Sequence, residues 1–142
     1  MLRSCPYCGR IHDTREVCGQ KLAHQRQRYR CSNPEARTEE QRFRSSQAWR
    51  RKSEEIRERD RYVCQACIRN LNGTRRRLEY ENISVHHAVP LHVDYSRRLD
   101  NDNLITLCSV HHELAERGEL SLEVVQGVIA EQEEKISPLA ML

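Results

Sequence analysis

The chain has little with which to build an oily interior. One Phe, one Trp and five Tyr are all of its aromatics, and only 37% of its 142 residues are hydrophobic. A core that thin needs a staple, and a metal ion is the obvious one. No apolar run approaches the ~20 residues of a membrane-spanning helix, and Met1-Leu-Arg-Ser-Cys5 offers no apolar signal stretch. No membrane association is therefore expected, and the reducing cytoplasm is the expected compartment. Internal repeats and low-complexity tracts are also lacking. A complete disulfide framework is excluded because the seven cysteines are odd in number, and in a thiol-reducing setting paired cysteines usually mark metal.

Charge is plentiful and unevenly placed. The net charge is only +3, but residues 21–61 hold 13 Lys and Arg against 7 Asp and Glu, whereas residues 113–142 hold 2 against 7. A basic half and an acidic tail point to a polyanion partner for the first half, with a solvated charged helix as the plain alternative.

The length allows one modest domain with a small appendage. Residues 1–20 form a compact Cys/His unit. Residues 21–42 are polar, Arg-rich and broken by Ser32-Asn33-Pro34, and read as a basic linker. Thr38-Glu-Glu-Gln41 fits a capping box. A basic helix, capped by Ser45 or Ser46, is expected over about Ser46–Arg59, with Trp49, Ile56 and Val63 on one stripe. Asn70-Leu-Asn-Gly73 is turn chemistry. Leu78–Val89 reads as short strands ended by Pro90, His92–Asp102 as a polar loop, and Leu104–Leu107 as another short strand. A helix follows from Ser109 to Arg117 with Gly118 at its C-terminal cap. A last helix, capped by Ser121, turns Leu122, Val125, Val128 and Ile129 inward. The expected fold class is α+β.

Two paired steps supply soft ligands: Cys64-Gln-Ala-Cys67 and Cys108-Ser-Val-His111. A two-residue gap lets both side chains of one turn reach one ion, so Cys64, Cys67, Cys108 and His111 are the expected ligands of a structural zinc (Zn²⁺). The 40 residues between the pairs exceed a zinc-ribbon gap and leave room for a function of their own. A second zinc is suggested by Cys5-Pro-Tyr-Cys8-Gly9 with His12 and Cys18; Cys31 or His24 are alternatives to His12. Cys31 otherwise reads as a free thiol.

Val85-His86-His87-Ala88-Val89-Pro90-Leu91, then Asp102-Asn103-Leu104, then Leu107-Cys108-x-x-His111-His112 resembles the HNH endonuclease family, whose fold is the ββα-metal, or His-Me, finger. The likeness spans about residues 43–118. The N-terminal Cys-Pro-x-Cys-Gly-x-Ile-His unit and the lead-in Glu58-Arg-Asp-Arg-Tyr-x-Cys-Gln-x-Cys67 resemble its small phage and prophage members. The resemblance implies a zinc-braced ββα-metal core at 43–118, preceded by a basic helix and followed by a helical tail at 119–142. It implies His87 as general base, His86 and His112 as ligands of a catalytic divalent ion, and Asn103 as the brace of the loop that carries the base. It also implies DNA cleavage leaving 5′-phosphate and 3′-hydroxyl ends, and a role near genome packaging beside a terminase.

Elementary chemistry agrees with these roles. Phosphodiester hydrolysis needs an activated water and charge stabilisation on the phosphate, and a neutral imidazole can take the water proton. On a helix, adjacent residues point about 100° apart, so His111 and His112 face different sites. On a strand, His86 and His87 alternate, so both serve one site only if the backbone bends or bulges. Two imidazoles should favour Mn²⁺ or Ni²⁺ relative to Mg²⁺. Arg59 and Arg61, beside the zinc knuckle, are the expected phosphate contacts. Arg50 and Arg51, with Arg75, Arg76 and Arg77, either bind phosphates or merely solubilise. Trp49 reads as core and His92 as a solvated loop residue. The competing readings are a non-catalytic zinc module that binds nucleic acid, and a nuclease directed at RNA.

Overall fold

A computed structural model describes residues 1–33, 35 and 37–136, without the side chains of residues 30–32. The chain divides into two compact units, Met1–Arg42 and Phe43–Leu142.

In the first unit, strands β1 (Leu2–Ser4) and β2 (Ile11–Asp13) pair antiparallel, with Arg3 opposite His12. Their connection turns at Gly9, whose φ of 70° is open to glycine at no steric cost. Helix α1 then runs Gly19–Ser32, where the sequence reading expected an irregular linker from residue 21. Its Ala, Leu, Lys, Gln and Arg are strong helix formers, and that outweighs the lack of an apolar stripe. Pro34, part of the expected break, lies outside the described residues. The capping box forms: Gln41 N–H donates to Thr38 Oγ1 at 3.2 Å and Thr38 N–H to Gln41 Oε1 at 3.1 Å. It opens the short helix α2, Glu39–Arg44.

In the second unit, helix α3 (Gln47–Arg59) starts at Ser46, whose hydroxyl accepts from Trp49 N–H at 3.1 Å. Arg61 and Tyr62 then take φ of 56° and 57°, a costly reversal for non-glycine residues, held by Tyr62 N–H donating to Arg57 O at 2.8 Å. It delivers the chain to Cys64 and the one-turn helix α4, Gln65–Ile68. Only one strand, β3 (Ile83–His87), forms within the 78–89 segment. It pairs antiparallel with β4 (Leu104–Cys108), placing His86 opposite Ile105 and His87 opposite Leu104. Helix α5 (Ser109–Glu116) follows β4 directly, and Gly118 (φ 78°) turns the chain toward α6, Leu122–Ile136.

β4 is buried along its whole length. Leu104 packs with Ile56, Val85 and Trp49 on the α3 side, whereas Ile105 and Leu107 join Val125, Val128, Ile129, Cys64, Cys67 and Cys108 on the other. The α+β class and the strand–strand–helix order of β3, β4 and α5 are those of a ββα-metal finger. Among the described residues no helix is long and apolar enough to cross a membrane.

Candidate metal centres and catalytic site

Helix starts position the first ligand set. Cys64 is the N-cap of α4 and Cys67 lies within it; Cys108 is the N-cap of α5 and His111 lies in its first turn. All four are buried. Cys67 Sγ is 3.3 Å and Cys64 Sγ 3.6 Å from His111 Nδ1, Cys108 Sγ is 3.3 Å from the same atom, and the Sγ atoms of Cys67 and Cys108 are 3.8 Å apart. Tetrahedral ligands at zinc's usual bond lengths sit about 3.3 to 3.8 Å from one another, so the set fits that ion. The other imidazole nitrogen, Nε2–H, donates to Asn72 O at 2.9 Å, which fixes the ring and leaves Nδ1 for the ion. Burial pushes the Cys64 and Cys67 thiols up, so a cation is what makes their deprotonation favourable.

Cys5, Cys8, His12 and Cys18 form a second group in the first unit, with their ligand atoms within 4.8 Å of one another. His12 Nδ1–H donates to Asp13 O at 3.3 Å, while His12 Nε2 is buried without a partner. A buried, unpartnered imidazole nitrogen among three thiols is what a metal ligand looks like before the metal is counted. Backbone amides of Cys8 and Tyr7 pull the Cys5 thiol down to about 6. His24 packs against the Tyr7 ring instead, with centroids 5.2 Å apart. The Cys31 side chain lies outside the described residues.

The third group is His86, His112 and Glu116. His86 and His112 meet edge to face, their centroids 4.9 Å apart. Glu116 stands four residues after His112 on the same face of α5, its Oε1 3.6 Å from His112 Nδ1. The sequence reading missed this carboxylate, although the i,i+4 spacing from His112 signals it. Burial, then the His112 and His87 rings and Arg44, pushes His86 down to about 4, so it is neutral and its lone pair open to a metal. Two imidazoles and a carboxylate fit a divalent transition ion.

β3 carries no bulge, and the doublet alternates. His86 faces α5, while His87 shares the face of Val85, stacked on Trp49 with centroids 4.8 Å apart at 22° and edge-on to Phe43. The bend that would turn both imidazoles into one group is absent within β3. His87 is the last residue of the strand, and its Nε2–H donates to Arg98 O at 3.0 Å, which fixes Nδ1 as the basic nitrogen. Burial holds its pKa below the ordinary imidazole value. Arg44 acts electrostatically on both members of the doublet, a cation that sequence reasoning passed over. Buried Asn103 accepts from Val89 N–H at 2.7 Å and donates to Val89 O and Arg97 O, each at 3.2 Å. Its side chain clamps both ends of the loop after His87, so it positions rather than reacts.

The arginines divide sharply. Arg50, Arg51, Arg61, Arg75 and Arg77 are exposed. Arg76 is exposed as well but is paired with Glu79 and Glu81. Arg59, an expected phosphate contact, has a side chain only 4% exposed and bonded to Asp60, Glu133, Asn101 O and Leu104 O. A guanidinium that saturated has no donor left for DNA. Trp49 is half-buried in the core and His92 is exposed.

No curated protein matches the chain. A solved structure similar to it is the HNH endonuclease of the deep-sea thermophilic bacteriophage GVE2, crystallised with a manganese ion, at 26% identity over 72% of this chain and 95% of that one, with a TM-score of 0.47. Residues 64–116, from Cys64 to Glu116, match the family model for HNH endonuclease. Over that segment the chain is similar to HNH endonuclease domains.

Proposed function

We propose that this chain is a divalent-metal-dependent endonuclease that nicks or hydrolyses DNA phosphodiester bonds. The observation that carries the reading is the gathering of His86, His112 and Glu116 at the β3–α5 junction, with His87 next in sequence and held in one tautomer. A divalent ion held by His86, His112 and Glu116, such as Mn²⁺, Ni²⁺ or Mg²⁺, would neutralise charge on a non-bridging phosphate oxygen and on the departing 3′ oxygen. His87 accepts the proton of the attacking water at Nδ1, because Nε2 is committed to Arg98 O. It lies on the other face of β3 from His86, at the strand's last position, so the attacking water must reach its Nδ1 around that strand end. Asn103 keeps that loop in register with the strand, and Arg44 offers positive charge to the phosphate. Cys64, Cys67, Cys108 and His111 hold a structural zinc, and Cys5, Cys8, His12 and Cys18 a second. Exposed Arg50, Arg51, Arg61, Arg75 and Arg77 are left as phosphate contacts outside the reacting centre. The N-terminal motif's likeness to small phage proteins extends the reading to genome packaging beside a terminase.

Plasmid nicking tests the assignment. With Mn²⁺, His87→Ala should lose about 100-fold or more of the wild-type rate while DNA binding persists. Equal rates would remove His87 as the base. DNA binding without cleavage in Mn²⁺, Ni²⁺ or Mg²⁺ would assign a non-catalytic zinc module instead. Faster cleavage of a matched RNA would redirect the activity to RNA.

A further inference from the structure

Over residues 19–29 helix α1 has no buried face. Every residue from Gly19 to Tyr29 is exposed, so packing does not explain a helix about 21 Å long. A helix polar all round is normally laced by ion pairs or bridges to something else. Ion pairs are missing here: Lys21, Arg26 and Arg28 have none among the described residues, and α1 holds four Lys and Arg and no carboxylate. The whole stretch 1–33 carries seven basic residues against two acidic.

What α1 does have is a firm root. Cys18, a member of the N-terminal metal group, is its N-cap, and Leu22 N–H donates to Cys18 O at 3.0 Å. His24 rests on Tyr7 within the Cys5–Cys8 turn. The hairpin and its metal group therefore anchor one end of a basic rod on which Lys21, Arg26 and Arg28 stand exposed. The acidic C-terminal helix is a poor occupant, because Glu131 and Glu133 are already paired with Arg69 and Arg59.

We propose that α1 is a second DNA-binding element, separate from the cleavage centre, that grips duplex phosphates through Lys21, Arg26 and Arg28. The inference rests on the endonuclease reading for its choice of polyanion. Its function is affinity: it keeps the nuclease unit on DNA without contributing to the chemical step. Gln20, Gln25 and Gln27, interleaved with the basic residues, add neutral hydrogen-bonding groups without reducing the positive charge.

The full-length His87→Ala protein, titrated with a short DNA duplex over a range of salt concentrations, tests this. Substituting Lys21→Gln, Arg26→Gln and Arg28→Gln together should weaken binding at near-physiological salt by about tenfold or more. The slope of log affinity against log salt should ease by about 2 to 3, at about 0.9 per lost phosphate contact. Lys21→Arg with Arg26→Lys and Arg28→Lys should bind as the parent does, and all variants should retain the parent's zinc content. Unchanged affinity and slope in the neutralised protein overturns the proposal, as does an equal loss in the charge-preserving one. Loss on duplex RNA with DNA binding intact overturns it in favour of RNA. Failure of the endonuclease reading would show separately, as absence of plasmid nicking by the protein that retains His87, with this binding difference intact.

Discussion

Arg59 uses all five of its N–H donors inside the protein: two on Asp60, one on Glu133, and one each on the carbonyls of Asn101 and Leu104. Asp60, fully buried, accepts in addition from Thr106 N–H at 2.8 Å and Gln132 Nε2 at 3.2 Å. Removing either partner leaves a buried charge unpaired. Arg59→Ala or Asp60→Ala should therefore lower unfolding stability by about 3–5 kcal/mol, measured by chemical denaturation. Arg61→Ala, at an exposed side chain, should cost far less. Gly73 is the second sensitive residue. Its φ is 92°, and an added Cβ would meet Leu114 Cδ1 at 2.7 Å and lie 3.7 Å from His111 Nε2. Gly73→Ala should cost about 1–3 kcal/mol and loosen zinc, read as faster metal transfer to a chromogenic chelator. The sequence disclosed Gly73 as a turn residue. It could not disclose Arg59, because a guanidinium's partners on β4 and α6 are set by tertiary packing across more than forty residues of chain.

Among the elements, those with a local signal were the legible ones. Ser46 caps α3, the 38–41 capping box closes, α5 stops just before Gly118, and α6 buries Val125, Val128 and Ile129, whereas Leu122, expected inward, sits exposed in the helix's first turn. Helix α1 was hidden because it has no apolar period, only residue-by-residue propensity. The strand geometry of the doublet was half legible: alternation is fixed by the backbone, but its consequence, His87 stacked on Trp49, depends on where α3 lies. The stack gives α3 a duty beyond packing. Trp49→Ala removes the flat surface that holds the His87 ring, so nicking should fall several-fold with DNA affinity little changed. Trp49→Phe, which keeps an aromatic face, should recover much of it. A parallel loss of affinity and rate in both variants would instead make α3 a binding element.

For the whole molecule, pH is the simplest probe. Free in the unfolded chain, an imidazole titrates near about 6.5, while half-buried His86 is held down to about 4. The unfolded state thus takes up that proton first. The stability His86 contributes is present above about pH 6.5 and drains away as pH falls toward 4. Thermal melts over that window should show wild type losing melting temperature faster than His86→Gln. Metal count is a second probe: purified protein should carry two zinc ions per chain, falling to one in Cys5→Ser with Cys8→Ser. Helix α5 links the two probes. His111 points from it toward the thiolates, and His112 and Glu116 toward His86. Stripping the structural ion would thus unseat the catalytic donors as well. A nuclease reaction quenched with a strong chelator should not restart fully when manganese alone is restored; zinc must go back first, and the order of addition becomes a fingerprint of this shared scaffold.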